Sequence, residues 1–323
     1  MSAEAISLSE GTIIEEQKLS DKTVIRKKKK ISSDQLSVNI VGALAVGIFA
    51  LICVIPFYLI IVASFTSETS LIRDGYPILP RLSELSLQSY ALCLKNPTAI
   101  LKAYGMTISV TVIGTFLSVM LATMTGYVLS RKDFPWRNQF SFFFFFTTLF
   151  NGGLVPWYLM CTRYLNFKNS IVGLILPLMF SVWNMIIAKS FMTGIPAEIS
   201  ESAKIDGAND ITIFAKLILP LSKPLIATLS LFAALAYWND WYNCMLFVTN
   251  EDMFTLQYYL QRILGSAEAM RIVAEKSGIA LPSIPLEGMK MAMTIIATGP
   301  IVLLYPFVQR YFVKGLTIGA VKG

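Results

Sequence analysis

Residues 201–220 read ESAKIDGANDITIFAKLILP and set charges and a glycine between two long apolar runs. Pro196 suits the first turn of a helix, where a missing N–H costs nothing, and Glu198 and Glu201 complement the positive end of that helix's dipole. The pattern predicts a short helix over about 197–206 and a left-handed turn at Gly207. A second helix follows, capped by Asn209 or Asp210 and carrying Ile211, Phe214 and Ile218. Apolar residues at 199, 203, 208, 211, 214 and 218 recur at helical spacing and give the pair one apolar face, while Glu201, Lys204 and Lys216 meet water. On physics alone such a pair is an amphipathic connector resting on lipid headgroups.

Outward from this stretch the chain is that of a membrane protein. Of its 323 residues 55% are hydrophobic and 15% charged, against roughly 25% charged in a soluble domain. The first apolar run, NIVGALAVGIFALICVIPFYLIIVASF, starts at Asn39 and is long enough to span with tilt. Further candidate spans at 104–130, 139–162, 170–194, 224–248 and 289–313 bring the total to six. The expected fold is therefore an all-α bundle of six transmembrane helices over 39–323, preceded by a polar tail at 1–38 in which no cleavable signal pattern is seen. With the N-terminus inside, the segments 1–38, 131–138, 195–223 and 310–323 hold sixteen Lys and Arg, and the outer segments hold nine. This bias puts both termini and the 195–223 loop in the cytoplasm, between spans four and five. The RKKKK cluster at Arg26–Lys30 could be a nucleic-acid patch, but beside a span it reads as an anchor to membrane lipid, with no nucleic acid as partner.

Several kinds of chemistry are excluded. The chain has no histidine, so it holds no Ser-His-Asp triad, His-based zinc site or imidazole relay. Cys53, Cys93, Cys161 and Cys244 show no C-x-x-C spacing and read as packing residues, and no metal set is evident. No G-x-x-x-x-G-K-[ST] loop occurs, so energy, if used, comes from a partner. The FFFFF run at Phe142–Phe146 reads as lipid-facing or packing bulk. The outer loops are too short for a catalytic domain with its own core.

Glu201-Ser202-Ala203, Gly207, and Leu217, Leu219 and Pro220 resemble the E-A-A-x-x-x-G…I-x-L-P signature of ATP-binding-cassette importer permeases, with Ser202 at an alanine and Leu217 at an isoleucine. The context IPAEISESAKIDGANDITIFAKLILPLSKP is similar to the carbohydrate-uptake branch that includes the maltose permeases. So are TGYVLSRKDFPWRN at 125–138, FNGGLVPWYLM at 150–160 and YPFVQRYFVKGLTIGAVKG at 305–323. The resemblance implies a non-enzymatic subunit, paired with a related second permease, two cytoplasmic ATPases that bind ATP and Mg, and an extracellular solute-binding protein. It implies no cofactor in this chain. It makes the 197–220 loop a coupling helix docked in an ATPase, with Glu198, Glu201, Ser202, Ala203, Asp206 and Gly207 at the contact. Ala203 and Gly207 are small enough for close approach, and Glu201 and Asp206 can accept charge-assisted hydrogen bonds. Pro220 and Pro224 either set the loop's angle to the fifth span or mark helix boundaries.

Polar groups inside apolar spans tend to face a cavity or the bundle interior. The densest group is AYWNDWYN at 236–243. Here Trp238 and Trp241 could cover the C–H face of a sugar, and Asn239, Asp240 and Asn243 could bond its hydroxyls. An interfacial aromatic belt explains the same residues without a ligand. Trp183 and Asn184 in SVWN, and Asn151 in NGGLVP, are further candidates for the path. Gly152, Gly153 and Pro156 weaken the third span's helix or else serve close helix packing. Two other functions fit the composition. A stand-alone secondary transporter or channel lacks enough intramembrane carboxylates for a proton relay. An enzyme acting on lipid-linked sugars, with Asp240 as base, lacks a second acid.

Overall fold

The structure, a computed structural model, describes residues 33–79, 81–277 and 285–302, and the regular elements among them are helices, joined by an isolated bridge between Thr66 and Leu85. The basic cluster at 26–30, the end of the sixth candidate span and the C-terminal motif lie outside the described residues. The chain divides into two units, 1–57 and 58–323. The first holds most of α1 (Ser33–Ser64), whose side chains from Val38 to Phe57 are exposed all round. An apolar helix with no polar face is suited to lipid or to another apolar surface.

In the second unit the central element is α2 (Pro97–Ser130). It starts about two turns before the apolar run because Asn96 caps it, its Oδ1 accepting from the Ala99 N–H at 3.3 Å, and Pro97 sits at the first helical position. Two described helices are long and apolar enough to cross a membrane, and up to five crossings result if each of three bent pairs is one span. The expected six thus become at most five among the described residues, since the last candidate span continues past residue 302.

Each bend has a local cause. The third span is α3 (Arg137–Leu149) and α4 (Leu154–Leu159, continued by a π turn to Tyr164), which meet at 112°. Between them Gly153 takes φ +87°, and its N–H donates to Asn151 Oδ1 at 2.9 Å. A Cβ at Gly152 would meet nothing within 4 Å, so this glycine makes no close packing within the chain, and the turn's conformational demand for glycine falls on Gly153. The fourth span bends by 48° between α5 (Ile171–Met179), which contains Pro177, and α6 (Val182–Thr193), where Ser181 Oγ accepts from the Asn184 N–H at 3.3 Å.

After α7 (Ala197–Ile205) and α8 (Asp210–Ile213), a π turn at Phe214–Ile218 and a turn at Leu219–Leu221 lead into α9 (Lys223–Trp238) at 83°. Pro220 and Pro224 lie on either side of that bend, so the two expectations for them coincide. Then follow α10 (Tyr242–Phe247), α11 (Leu256–Ser277) and α12, at 286–302. Glu68 caps the last of these, its carboxylate accepting from the N–H groups of Glu287 at 3.1 Å and Gly288 at 3.0 Å.

The core lies along α2. Toward the loop end, Ala122 and Tyr127 pack with Ala188, Met192, Phe214, Ile218 and Leu229. Midway, Val110 packs with Leu174, Tyr237 and Cys244. Cys93, Cys161 and Cys244 are buried free thiols, as packing residues are, whereas Cys53 is exposed on α1. Of the phenylalanine run, Phe142, Phe143, Phe145 and Phe146 are exposed, and Phe144 packs on Phe180 at 5.1 Å.

Candidate functional site

The loop from 195 to 223 forms the helix–turn–helix that its sequence predicts. Pro196 stands at the N-cap of α7, one place earlier than expected, and Glu198 lies in the first turn. The helix ends in a Schellman motif: Gly207 at φ +81° donates its N–H to Lys204 O at 3.0 Å, and the Ala208 N–H bonds Ala203 O at 2.9 Å. Asn209, rather than Asp210, caps α8, its Oδ1 accepting from the Thr212 N–H at 2.8 Å.

The apolar positions divide in two. Ala203, Ala208, Phe214 and Ile218 pack into the core beneath the loop, and Ile199 is half-buried. Ile211, expected on the same face, is 78% exposed, and Ile205 is 86% exposed. The buried side of α8 and its π continuation is carried by Ile213, Phe214 and Ile218, and Ile211 lies outside it. Glu198, Glu201, Ser202, Asp206 and Gly207 are exposed around Ile205 and Ile211. A Cβ at Gly207 would meet nothing within 4 Å, so its surroundings inside the chain are open.

An ion cluster anchors this surface to the end of α2. Arg131 donates to both Asp133 and Asp210, and Lys204 reaches Asp133 at 3.1 Å and Asp210 at 3.9 Å. The Arg131 guanidinium also lies 5.6 Å from the ring centroid of Tyr127, which packs on Phe214 at 5.3 Å. Hydrogen bonding from Arg131, with a further bond from Lys204, holds the Asp133 carboxyl well below the usual carboxylate range, and the Asp133 hydrogen bond pushes Arg131 up.

A group whose folded pKa is depressed contributes stability above its unfolded value, about 3.9, and loses it as pH falls through the folded value. The loop should therefore hold its geometry across neutral pH and loosen only in strong acid. Asp133→Asn with Asp210→Asn leaves two cations facing each other and should raise amide exchange over 204–213 at neutral pH several-fold, about 1 kcal/mol in opening free energy. Unchanged exchange would show that the cluster does not hold the loop.

The second concentration of polar groups is the break between α9 and α10. Tyr237 and Trp238 are buried: Tyr237 Oη donates to Ile175 O at 2.8 Å and Trp238 Nε1 to Ala297 O at 3.0 Å. Asp240 caps α10, accepting from the Asn243 N–H at 3.1 Å and from Asn243 Nδ2 at 2.9 Å. Asn243 and Asn184 are buried. Asn239 is exposed and bonds Leu235 O at 2.9 Å and Gln257 at 3.3 Å. Much of the polarity in this span thus closes on itself, as buried polar groups must.

The members left open are Trp241 and Tyr242, which are exposed and stack edge to face at 6.0 Å. Tyr242 joins Asn151, Gly152, Gly153 and Trp157 around a cavity of about 510 Å³. The structure therefore brings Asn151 to the 236–243 cluster but leaves Trp183 exposed on α6, outside that cavity's lining. Tyr242 belongs to the AYWNDWYN cluster read from sequence, whereas Trp157 is not among the candidates for the path. Its only signal is aromatic character beside a bend, and the bend itself makes it a neighbour of Tyr242.

Residues 105–318 match the family of binding-protein-dependent transport system inner membrane components. The chain belongs to this family: it is a multi-pass membrane permease subunit of an ATP-binding-cassette importer, part of a larger transporter complex and not an enzyme. It is 38% identical to the polygalacturonan/rhamnogalacturonan transport system permease protein YtcP of Bacillus subtilis (strain 168), over 85% of this chain and 94% of that one. It is 30% identical to the arabinooligosaccharides transport system permease protein AraQ of Halalkalibacterium halodurans, over 85% and 93% of the two chains. Among solved structures it resembles a bacterial ABC transporter involved in the import of the acidic polysaccharide alginate. The TM-score is 0.71 at 27% identity, covering 87% of this chain and 98% of that one.

Proposed function

We propose that this permease imports oligosaccharide, with six spans and both termini cytoplasmic, beside a related second permease and above two ATPases that bind ATP and Mg. An extracellular solute-binding protein delivers the sugar. The carbohydrate relatives support the substrate class, and the basic-residue bias supports the topology.

The observation that carries the docking part is the exposed tip of the loop. Ile205 and Ile211, 86% and 78% exposed, flank a glycine open to approach, with Glu198, Glu201, Ser202 and Asp206 around them. Two large aliphatic side chains on a water-facing turn gain from being covered, and the carboxylates suit Arg or Lys of the covering protein. Closure of the ATPases on ATP then moves the docked loops. The Arg131 cluster and the Tyr127–Phe214 contact carry that motion into α2.

On the substrate side, the cavity of Asn151, Trp157 and Tyr242 has the make-up a neutral sugar face needs: ring surfaces for C–H groups and an amide beside exposed backbone for hydroxyls. Trp241, which stacks on Tyr242, and the exposed Asn239 and Trp183 are further candidates for the path outside the cavity's own lining. Of the remaining candidates, Asp240 and Asn243 fix the start of α10, which carries Tyr242, while Trp238 and Asn184 are buried elsewhere in the bundle. The test is uptake per assembled importer. Tyr242→Ala and Trp157→Ala should each lower it about tenfold, the effect of losing a contact of about 1.4 kcal/mol, while solute capture by the binding protein stays intact. An interfacial belt predicts that Phe at either position preserves uptake and that any loss follows protein level. Unchanged uptake in both alanine variants would remove the cavity from the sugar path.

A further inference from the structure

We infer that a cavity at the loop end of α2, α3 and α6 binds the phosphate headgroup of an anionic phospholipid. It measures about 510 Å³, is bounded on one side by Ser200, Glu201 and Lys204 of α7, and is separate from the Asn151 cavity. Seven charged side chains line it, five of them cationic. Arg131 and Lys204 are balanced by Asp133 and Asp210 in the cluster described above. Lys132, Arg137 and Lys189 form no ion pair among the described residues, and Glu201 is the remaining lining carboxylate, so three cations against one anion leave a net charge of +2.

Lys189 is the most informative of these. It lies one turn before the end of α6, half-buried, with Nζ donating to Ser141 Oγ on α3 at 2.8 Å. A lysine inside an apolar span is costly and needs an anion or water at its head. Serine supplies a neutral acceptor only. Arg137, half-buried in the first turn of α3, adds a fork that matches phosphate oxygens, and Asn138 and Ser200 add polar groups at the rim.

Lipid is favoured as the source of the phosphate by what surrounds the cavity. Trp136 and Phe140, 59% and 47% exposed, stand where α3 begins, which is where aromatic side chains mark the headgroup level. The cavity therefore opens at the depth of lipid phosphate, and under the topology proposed above it faces the inner leaflet. A basic pocket between spans at this depth attracts acidic headgroups with about 1 kcal/mol per cation.

The experiment reconstitutes the assembled importer into nanodiscs of phosphatidylglycerol or of phosphatidylcholine and counts retained lipids by native mass spectrometry, without solute. Wild type should retain phosphatidylglycerol selectively. Arg137→Gln and Lys189→Gln should each weaken retention about fivefold, and the charge-preserving pair Arg137→Lys with Lys189→Arg should restore it. Equal retention of both lipids, or retention unchanged by the glutamine variants, would overturn the inference. So would displacement of the lipid by inorganic phosphate, which would make this a general anion site. Loss of lipid only together with loss of the ATPases would make it a protein contact instead. Because the readout is lipid bound, a failure of the carbohydrate proposal would leave this result unchanged.

Discussion

Gly126→Leu should leave almost no correctly assembled importer, measured as the monodisperse complex recovered from membranes relative to wild type. A Cβ built at Gly126 lies 2.6 Å from Ala188 Cβ and 2.9 Å from the backbone nitrogen of Lys189. The obstacle is another helix's backbone, so no side-chain rotation relieves it and α2 must separate from α6. In a bilayer, where apolar surfaces gain nothing from avoiding lipid, such close approach of small residues is a principal source of helix association. Gly114→Ala should be milder. There the added carbon meets the ring of Tyr237 at 2.4 Å, a side chain that is buried and tied to Ile175 O. Overpacking of this kind costs about 1–3 kcal/mol, and losing the tyrosine bond adds about 1 kcal/mol. Replacing Tyr237 by leucine in the same chain should therefore recover part of the Gly114→Ala loss. Wild-type recovery of Gly126→Leu would mean that α2 and α6 are not packed at this point.

The consequence of that crossing extends beyond stability. Tyr127 follows Gly126 directly, packs on Phe214 of the loop and carries the Arg131 guanidinium over its ring. This close backbone approach of α2 and α6 thus lies beside the attachment point of the loop. Small displacements of the loop tip are transmitted by a packed interface with few alternative arrangements.

How far the sequence alone reveals this arrangement depends on the range of the interactions. The shape of the 195–223 loop is legible because its determinants are local: a glycine for the left-handed turn, an asparagine cap three residues before the N–H it satisfies, and acidic residues at a helix start. The weakening of the third span at Gly152 and Gly153 is legible for the same reason, as one of two readings of those glycines, whereas the 48° bend after Pro177 is not among the expectations for the fourth span. The direction of Ile211 is not legible, because apolar spacing cannot show that the buried side of 210–218 is centred on Ile213, Phe214 and Ile218 and leaves Ile211 outside it. Nor is the division of the 236–243 cluster. Periodicity cannot show that Trp238 reaches Ala297, or that Asp240 is occupied by Asn243 while Tyr242 meets Asn151, since each depends on how bent spans fold against one another. The ion cluster of Arg131, Asp133, Lys204 and Asp210 joins two loops distant in sequence, and no spacing rule connects them. The docking role proposed for the loop rests on family resemblance, whereas its shape follows from the physical reading of its residues.

Gly207→Trp should abolish uptake and remove the ATPases from the purified complex while insertion in the membrane stays normal. The left-handed φ of +81° means that any side chain here is strained, by about 1–2 kcal/mol. Strain alone is therefore not a test of docking, and Gly207→Ala is the necessary comparison. Both variants carry the strain, and within the chain neither meets an obstacle at its Cβ. Only tryptophan projects a bulky ring between Ile205 and Ile211, where a docked protein would lie. Alanine should then retain ATPase at a level reduced several-fold at most, and tryptophan should retain none. Ile205→Asp with Ile211→Asp should reproduce the tryptophan effect without altering Gly207, by removing the aliphatic surface and adding two charges to an interface that excludes water. Equal loss in the alanine and tryptophan variants would assign Gly207 to the fold of the loop. Full ATPase recovery in both the tryptophan and the double aspartate variants would place the docking surface elsewhere on the chain.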